Sequence, residues 1–174
     1  VEIMRGPTKS QQGYRRQRTM GIETAYDDSA EIVTRHDGIN IGIATTTDRG
    51  LYVPVVKHVE AKTIWETATE LIRVAGAARD GTAGLDDLTG STFTITSLGR
   101  DGGIGATPII NHPEVGILGV HKAIDRPMVV NGRITIRRMM NLSSSWDHRV
   151  VDGADGAALV LGLREMLEHP ITIL

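Results

Sequence analysis

The residues best placed to do chemistry lie in one run, "SSSWDHRVVDGAD", at 143–155. It holds His148 with Asp152 four residues further on, and Asp147 and Arg149 on either side of the histidine. A histidine side chain titrates near about 6.5 in water, so this residue type can take a proton at neutral pH. The run lacks a nucleophile of the protein's own. With no cysteine and no Gly-x-Ser-x-Gly elbow in the chain, a base here acts on a nucleophile that the substrate brings. The same spacing could serve a metal, but no third ligand follows at zinc spacing, and His112 and His121 belong to other elements. No metal is expected. The bland alternative is a charged turn ahead of a helix.

A second stretch, "GRDGGIGATP" (99–108), is glycine-rich but has no Gly-Lys-Ser/Thr ending and runs into Pro108. It reads as a long turn, not as a phosphate loop.

The elements that must position these residues alternate strand and helix signals. "INIGIATTT" (39–47) has the period of two of a half-buried strand, Asp48–Gly50 a turn, and "LYVPVVKHV" (51–59) a second strand. Pro54 makes that second strand an edge or a bulged one. In "AKTIWETATELIRVAGAARDG" (61–81), Ile64, Ala68, Leu71, Ile72, Ala75 and Ala78 fall on one helical face. Thr63 and Glu66 form a capping box there, and Gly81 is a stop. Residues 90–99 and 114–121 are strands, the latter apolar enough to lie inside a sheet. Asn131–Gly132 marks a hairpin within 126–140, and 141–146 reads as continuing its edge. Residues 153–170 form a helix with Ala157, Val160, Leu163 and Leu167 inward and Pro170 as a stop. The expected fold is α+β, a mixed, largely antiparallel sheet with helices packed on it. Residues 1–22, polar and carrying Arg15, Arg16 and Arg18, read as an N-terminal arm, and 23–174 as the functional domain.

Composition narrows the function. The 174 residues carry a formal charge of −2, which leaves no basic footprint for nucleic acid. The aromatic residues are Tyr14, Tyr26, Tyr52, Trp65, Phe93 and Trp146, too few for base-stacking platforms. Absence of cysteine rules out disulfides and thiolate metal sites, and suits a cytoplasmic protein. No apolar run reaches the roughly 20 residues of a membrane span, and the first residues lack a signal-peptide core.

"DHRVVDG" (147–153) resembles the His-x-x-x-Asp-Gly signature of the dihydrolipoyl acyltransferases of the 2-oxo acid dehydrogenase complexes, shared more loosely with chloramphenicol acetyltransferase. "NIGIATTTDRGLYVPVVK" (40–57), "LTGSTFTITSLG" (88–99) and "TPIINHPEVGILGVHKA" (107–123) resemble further stretches of that catalytic domain in the same order. The resemblance implies a chloramphenicol acetyltransferase-like fold and acyl transfer between dihydrolipoyl and coenzyme A. It makes His148 the general base toward a thiol, Thr96 the oxyanion donor, and Asp152 a structural support paired with an arginine from the N-terminal part. By position alone, Thr107, Pro108 and Asn111 are candidates to line the coenzyme A entrance. The resemblance further implies a trimer whose sites lie between subunits, and assembly into a 24- or 60-subunit core. The partners implied are a lipoyl domain carrying the lipoyl group on another part of the assembly, a decarboxylase and a dihydrolipoyl dehydrogenase. No lipoyl-bearing or peripheral-subunit-binding domain stands in this chain, which looks like the catalytic core alone.

The chemistry suits the residue types. A free thiol is mostly protonated at neutral pH, and a histidine base removes that handicap during attack on a thioester. A hydroxyl donor then binds the oxygen that becomes negative. Departures from the family are few. Thr96 stands where many members have Ser, and Trp146 where Phe or Tyr is commoner. A stretch of some tens of residues ahead of Asn40, with a helix and strands, has no counterpart, so the arginine for Asp152 is open between Arg5, Arg15, Arg16 and Arg18. Two rival readings are a silent structural core of such a complex and an acetyl-coenzyme A-dependent acetyltransferase acting on a small hydroxylated molecule.

Overall fold

The computed structural model describes residues 2–5, 22–99 and 102–172. At the N-terminal side, β1 (Glu2–Arg5), β2 (Thr24–Asp27) and β3 (Ile32–Arg35) form an antiparallel sheet in the order β1-β3-β2. The first residues of the expected arm are thus a strand. Arg15, Arg16 and Arg18, with the rest of 6–21, lie outside the described residues.

The 39–59 stretch folds back on itself as its pattern predicts, but in two stages. β4 (Ile41–Ile43) pairs with β7 (Val55–Val56), and β5 (Thr45–Thr47) with β6 (Gly50–Tyr52), both antiparallel. The interruption has local causes. Ala44 gives its N–H to the Ile95 carbonyl at 2.9 Å, while Pro54 has no N–H and only accepts, from Ile43 at 2.8 Å. β7 is an edge strand, where proline nearby is tolerated.

Helix α1 (Ile64–Asp80) begins at the expected box: Thr63 N–H donates to Glu66 Oε2 at 2.8 Å, and Glu66 N–H to Thr63 Oγ1 at 3.2 Å. Its buried seam is Val74, Ala75 and Ala78, against β5 and β7. Leu71 is half-buried, whereas Ile64, Ala68 and Ile72 are exposed. Ala75 and Ala78 lie inward as the period predicts, but the face is narrower than the apolar stripe, because two short strands cover only a narrow seam of the helix.

The central sheet has the order β12-β9-β8-β4-β7, with β8 (Phe93–Ser97), β9 (Gly116–Val120) and β12 (Leu142–Trp146). β8 runs parallel to both neighbours, and the outer pairings are antiparallel. Its apolar interior strand β9 is buried along most of its length, as its sequence suggests. Hairpin β10 (Ile124–Val130) and β11 (Arg133–Met139) turns at Asn131 and Gly132, both at positive φ (50° and 73°), and forms its own two-stranded sheet. Residues 142–146 do not extend that hairpin: they leave it and pair with β9.

Helix α2 (Gly153–Glu168) packs on β12. Gly156 is its buried residue, Val160 and Leu163 are half-buried, and Ala157 and Leu167 are exposed. The inward face therefore turns to Gly156, for a reason given below. The architecture is the α+β arrangement expected, a mixed sheet carrying helices, with smaller antiparallel sheets beside it.

One consequence of the topology matters for the site. Parallel neighbours need a crossover, so the chain leaving β8 must return along the sheet before β9 begins. Residues 102–113 make this return as an irregular strap without a helix.

Candidate active site

His148 sits at the tip of a turn built by Asp147. The Asp147 N–H donates to the Val115 carbonyl at 2.9 Å, which ties the end of β12 to the start of β9. Its own carbonyl accepts from Val150 at 3.0 Å and Val151 at 2.9 Å. The carboxylate accepts the Arg149 N–H at 3.0 Å, Arg149 Nε at 3.0 Å and Nη2 at 2.7 Å. Arg149 also pairs with Asp28 and lies 4.2 Å over the Tyr26 ring. That pairing with Arg149 holds the Asp147 carboxyl below the usual carboxylate range, and Asp147 raises the Arg149 guanidinium in turn. The turn is held from several sides while His148 itself faces outward.

Below the turn, Val151 joins Tyr26, Val33 and Val115 in a buried cluster. Asp152 then caps α2: its Oδ1 accepts from Ala154 N–H at 3.1 Å and Asp155 N–H at 3.2 Å. The histidine is bracketed by the end of β12 at Trp146 and the start of α2 at Gly153.

The orientation of α2 follows from Trp146. Its indole donates to Ser144 Oγ at 2.9 Å and stands 5.7 Å from the Phe93 ring. A Cβ on Gly116 of β9 would lie 2.1 Å from this indole, and one on Gly156 of α2 would lie 2.6 Å from it. The large aromatic is seated between two glycines, and only the absence of their side chains lets helix, indole and sheet come so close.

Thr96 lies on β8 on the opposite face of the sheet. Side chains in register share a face, so Thr96, Gly119 and Ser143 form one row and Thr94, Ile117 and Ser145 the next. This face is polar. Ser143 Oγ and His121 Nε2 are 2.7 Å apart, and Ser145 Oγ donates to the Pro108 carbonyl at 2.6 Å. Thr94 Oγ1 donates to buried Glu114 at 2.9 Å. His121 is buried, and its Nδ1 has no hydrogen-bond partner among the described residues.

Comparison with known proteins gives the family. The profile of the 2-oxoacid dehydrogenases acyltransferase (catalytic domain) family matches residues 17–174. The chain belongs to this family. The lipoamide acyltransferase component of the branched-chain alpha-keto acid dehydrogenase complex of Pseudomonas aeruginosa is 55% identical over 152 residues, 87% of this chain and 36% of that protein. The dihydrolipoyllysine-residue acetyltransferase component of the pyruvate dehydrogenase complex of Staphylococcus aureus is 43% identical over 154 residues, 88% of this chain and 36% of that one. The dihydrolipoamide acetyltransferase structure of Azotobacter vinelandii superposes with a TM-score of 0.81 at 38% identity, covering 87% of this chain and 63% of that chain. The chain spans little more than a third of the length of the curated relatives it matches.

Within this acyltransferase-family domain, His148 and Thr96 do not meet. β8 and β9 run parallel and β12 opposite to both, so Thr96 is level with Ser143, whereas His148 follows Trp146 at the other end of β12. From Ser143 to Trp146 is about 10 Å along the strand, and two strand spacings of about 4.8 Å separate β8 from β12. Asp152 lies on the His148 side. Its Oδ1 is committed to helix N–H groups, and Arg149 to Asp147 and Asp28. Arg5, the described candidate for its arginine, lies on β1. Thr107 is exposed, Pro108 half-buried under Ser145, and Asn111 is turned inward to Glu114 at 2.9 Å.

Three groups escaped sequence reasoning: the Arg149–Tyr26–Asp28 clamp, the His121–Ser143 pair, and Glu114. Only Glu114 left a signal, a lone carboxylate heading the buried run "VGILGV". The others join residues far apart in the chain, 121 positions in the case of Arg149 and Asp28.

Proposed function

We propose that this chain transfers acyl groups between dihydrolipoyl, carried on a lipoyl domain, and coenzyme A, in the core of a 2-oxo acid dehydrogenase complex. His148 of one subunit takes the proton of the attacking thiol, and the sulfur attacks the thioester carbonyl. Thr96 of a neighbouring subunit gives its hydroxyl hydrogen bond to the carbonyl oxygen as that oxygen becomes negative. Collapse of the tetrahedral adduct breaks the original C–S bond, and the departing sulfur receives the proton from histidine. Asp152 acts by holding α2 and the turn.

The observation that carries this reading is the placement of His148 and Thr96 at opposite ends and on different strands of one sheet. A base and an oxyanion donor for one reaction must both lie about 3 Å from the reacting atoms, so the site needs a second copy of the chain. The Azotobacter vinelandii relative adds support. The residues studied for its catalytic mechanism are a serine, a histidine and an asparagine. Its serine stands as far ahead of the histidine as Thr96 stands ahead of His148, and its asparagine follows by four residues, as Asp152 does here. What aspartate and asparagine share is an oxygen that can cap a helix, which is the role Asp152 plays.

The test is acyl transfer from acetyl-, isobutyryl- and succinyl-coenzyme A to dihydrolipoamide. His148→Ala is expected to lose nearly all activity and Thr96→Ala about 10²–10³-fold. Assemblies mixed from the two variants should regain activity, because some interfaces then join an intact His148 to an intact Thr96. The preferred donor identifies the complex. A wild type silent with all three donors, or a His148→Ala variant as active as wild type, would leave the structural-core reading standing.

A further inference from the structure

The strap 102–113 is held to the Thr96 face of the sheet at three points. Asn141 Nδ2 donates to the Ile104 carbonyl at 2.5 Å, beside the Ser143 row, and Ser145 Oγ to the Pro108 carbonyl at 2.6 Å. At the far end the holding group is Glu114. Its Oε1 accepts from Asn111 Nδ2 at 2.9 Å, from Ser91 Oγ at 2.5 Å and from Thr94 Oγ1 at 2.9 Å. One oxygen thus joins the strap to the strand that carries Thr96, two residues ahead of it.

Glu114 is an expensive choice for a mere structural tie. It is 4 % exposed, and its Oε2 is buried with no hydrogen-bond partner among the described residues. Burial pushes its carboxyl above the usual range despite the three donors. Burying a carboxyl with one oxygen unmatched costs stability. The return is geometric, since a single acceptor gathers donors from residues 91, 94 and 111. Because the strap lies on the face that carries Thr96, it borders the approach to the Thr96 hydroxyl from that face.

We propose that Glu114 is a positioning residue for the acyl-coenzyme A substrate: by tying Asn111 to Ser91 and Thr94 it fixes the strap as a wall beside Thr96. This rests on the acyltransferase reading above. Thr96 itself is kept in place by its pairing with Gly119 of β9, on a strand also laddered to β4 up to Ile95, and neither ladder depends on Glu114. Loosening the strap therefore weakens substrate binding while leaving the chemical step close to intact.

The test is steady-state acyl transfer by the assembled protein, with the most active of the three acyl-coenzyme A donors varied against saturating dihydrolipoamide. For both Glu114→Ala and Asn111→Ala, KM for the donor should rise about five- to twentyfold with kcat within about twofold. Glu114→Gln keeps the Oε1 acceptor and should bring KM back to within about threefold of wild type. Amide exchange should quicken over 103–112 in the alanine variants and stay unchanged over 93–97. A folded alanine variant with unaltered KM overturns the proposal, as does a kcat loss matching the KM rise. If Glu114→Ala does not fold, Asn111→Ala decides on the same criteria. A silent wild type overturns the functional reading along with this inference, whereas an active wild type with unaffected variants overturns this inference alone.

Discussion

The seat of Trp146 makes a sharp prediction for Gly156→Ala. A Cβ at 156 would stand 2.6 Å from the indole Nε1 and 2.8 Å from Cδ1. Ordinary contact needs about 3.5–4 Å, so helix and indole must part by about 1 Å. The indole cannot yield the distance, because on its other side Gly116 already lets it approach as closely as a glycine allows. The helix must move, and it carries the Asp152 cap and the turn bearing His148. Overpacking of this kind costs about 1–3 kcal/mol, and replacing helical glycine by alanine returns about 0.5–1 kcal/mol. The expected net loss is roughly 0.5–2 kcal/mol, a fall of a few degrees in Tm. Activity should suffer more, since a displacement of about 1 Å at a reacting group can cost about 10²-fold in rate. Gly162→Ala on the same helix is the control, as a Cβ there meets nothing within 4 Å. It should gain about 0.5–1 kcal/mol and keep full activity. Thermal melts and kcat/KM of both variants decide the matter. A Gly156→Ala protein as stable and as active as Gly162→Ala would refute the idea that the two glycines locate the turn bearing His148.

Two further predictions concern the turn itself. Asp152→Asn keeps the capping oxygen and should stay within about threefold of wild-type activity, while Asp152→Ala should lose about 1 kcal/mol of stability and a larger share of activity. Equal activity for the two variants in a direct assay would contradict the capping role. Asp147 titrates below its usual value of 3.8 in the folded protein because of Arg149, so this pair contributes stability that is complete above that pH and lost as pH falls through the lower, folded value. The stability gap between wild type and Arg149→Met, followed by urea unfolding from pH 7 to pH 3, should therefore narrow below about pH 4. A gap that stays constant across that range would show that the carboxylate is not what Arg149 stabilises.

Legibility in the sequence tracked the range of the interactions involved. The Thr63–Glu66 box, the Asn131–Gly132 turn and the alternation in 39–47 are set by neighbours within a few positions; the box and the turn appear where the pattern places them, and the strand appears in two pieces, β4 and β5. The inward faces of α1 and α2 are only partly those of the stripe, because a helix stripe records which residues are apolar, not which partner covers them. On α1 the partners are two short strands, and on α2 the decisive partner is Trp146, for which the nearest residue is glycine. A glycine chosen for closeness carries no hydrophobic signal.

The candidate site divides in the same way. From residue types and spacing alone came a candidate histidine base without a nucleophile of its own and a helix beginning at Gly153, and resemblance supplied the family and Thr96. Tertiary structure decided that Thr96 and His148 stand apart within one chain, that Arg149 serves Asp147 and Asp28 and not Asp152, and that Asn111 is spent on Glu114. Strand direction, register and crossover path bring together or keep apart residues that are distant in the chain. A one-dimensional pattern with local periods of two or 3.6 holds no term for such pairings.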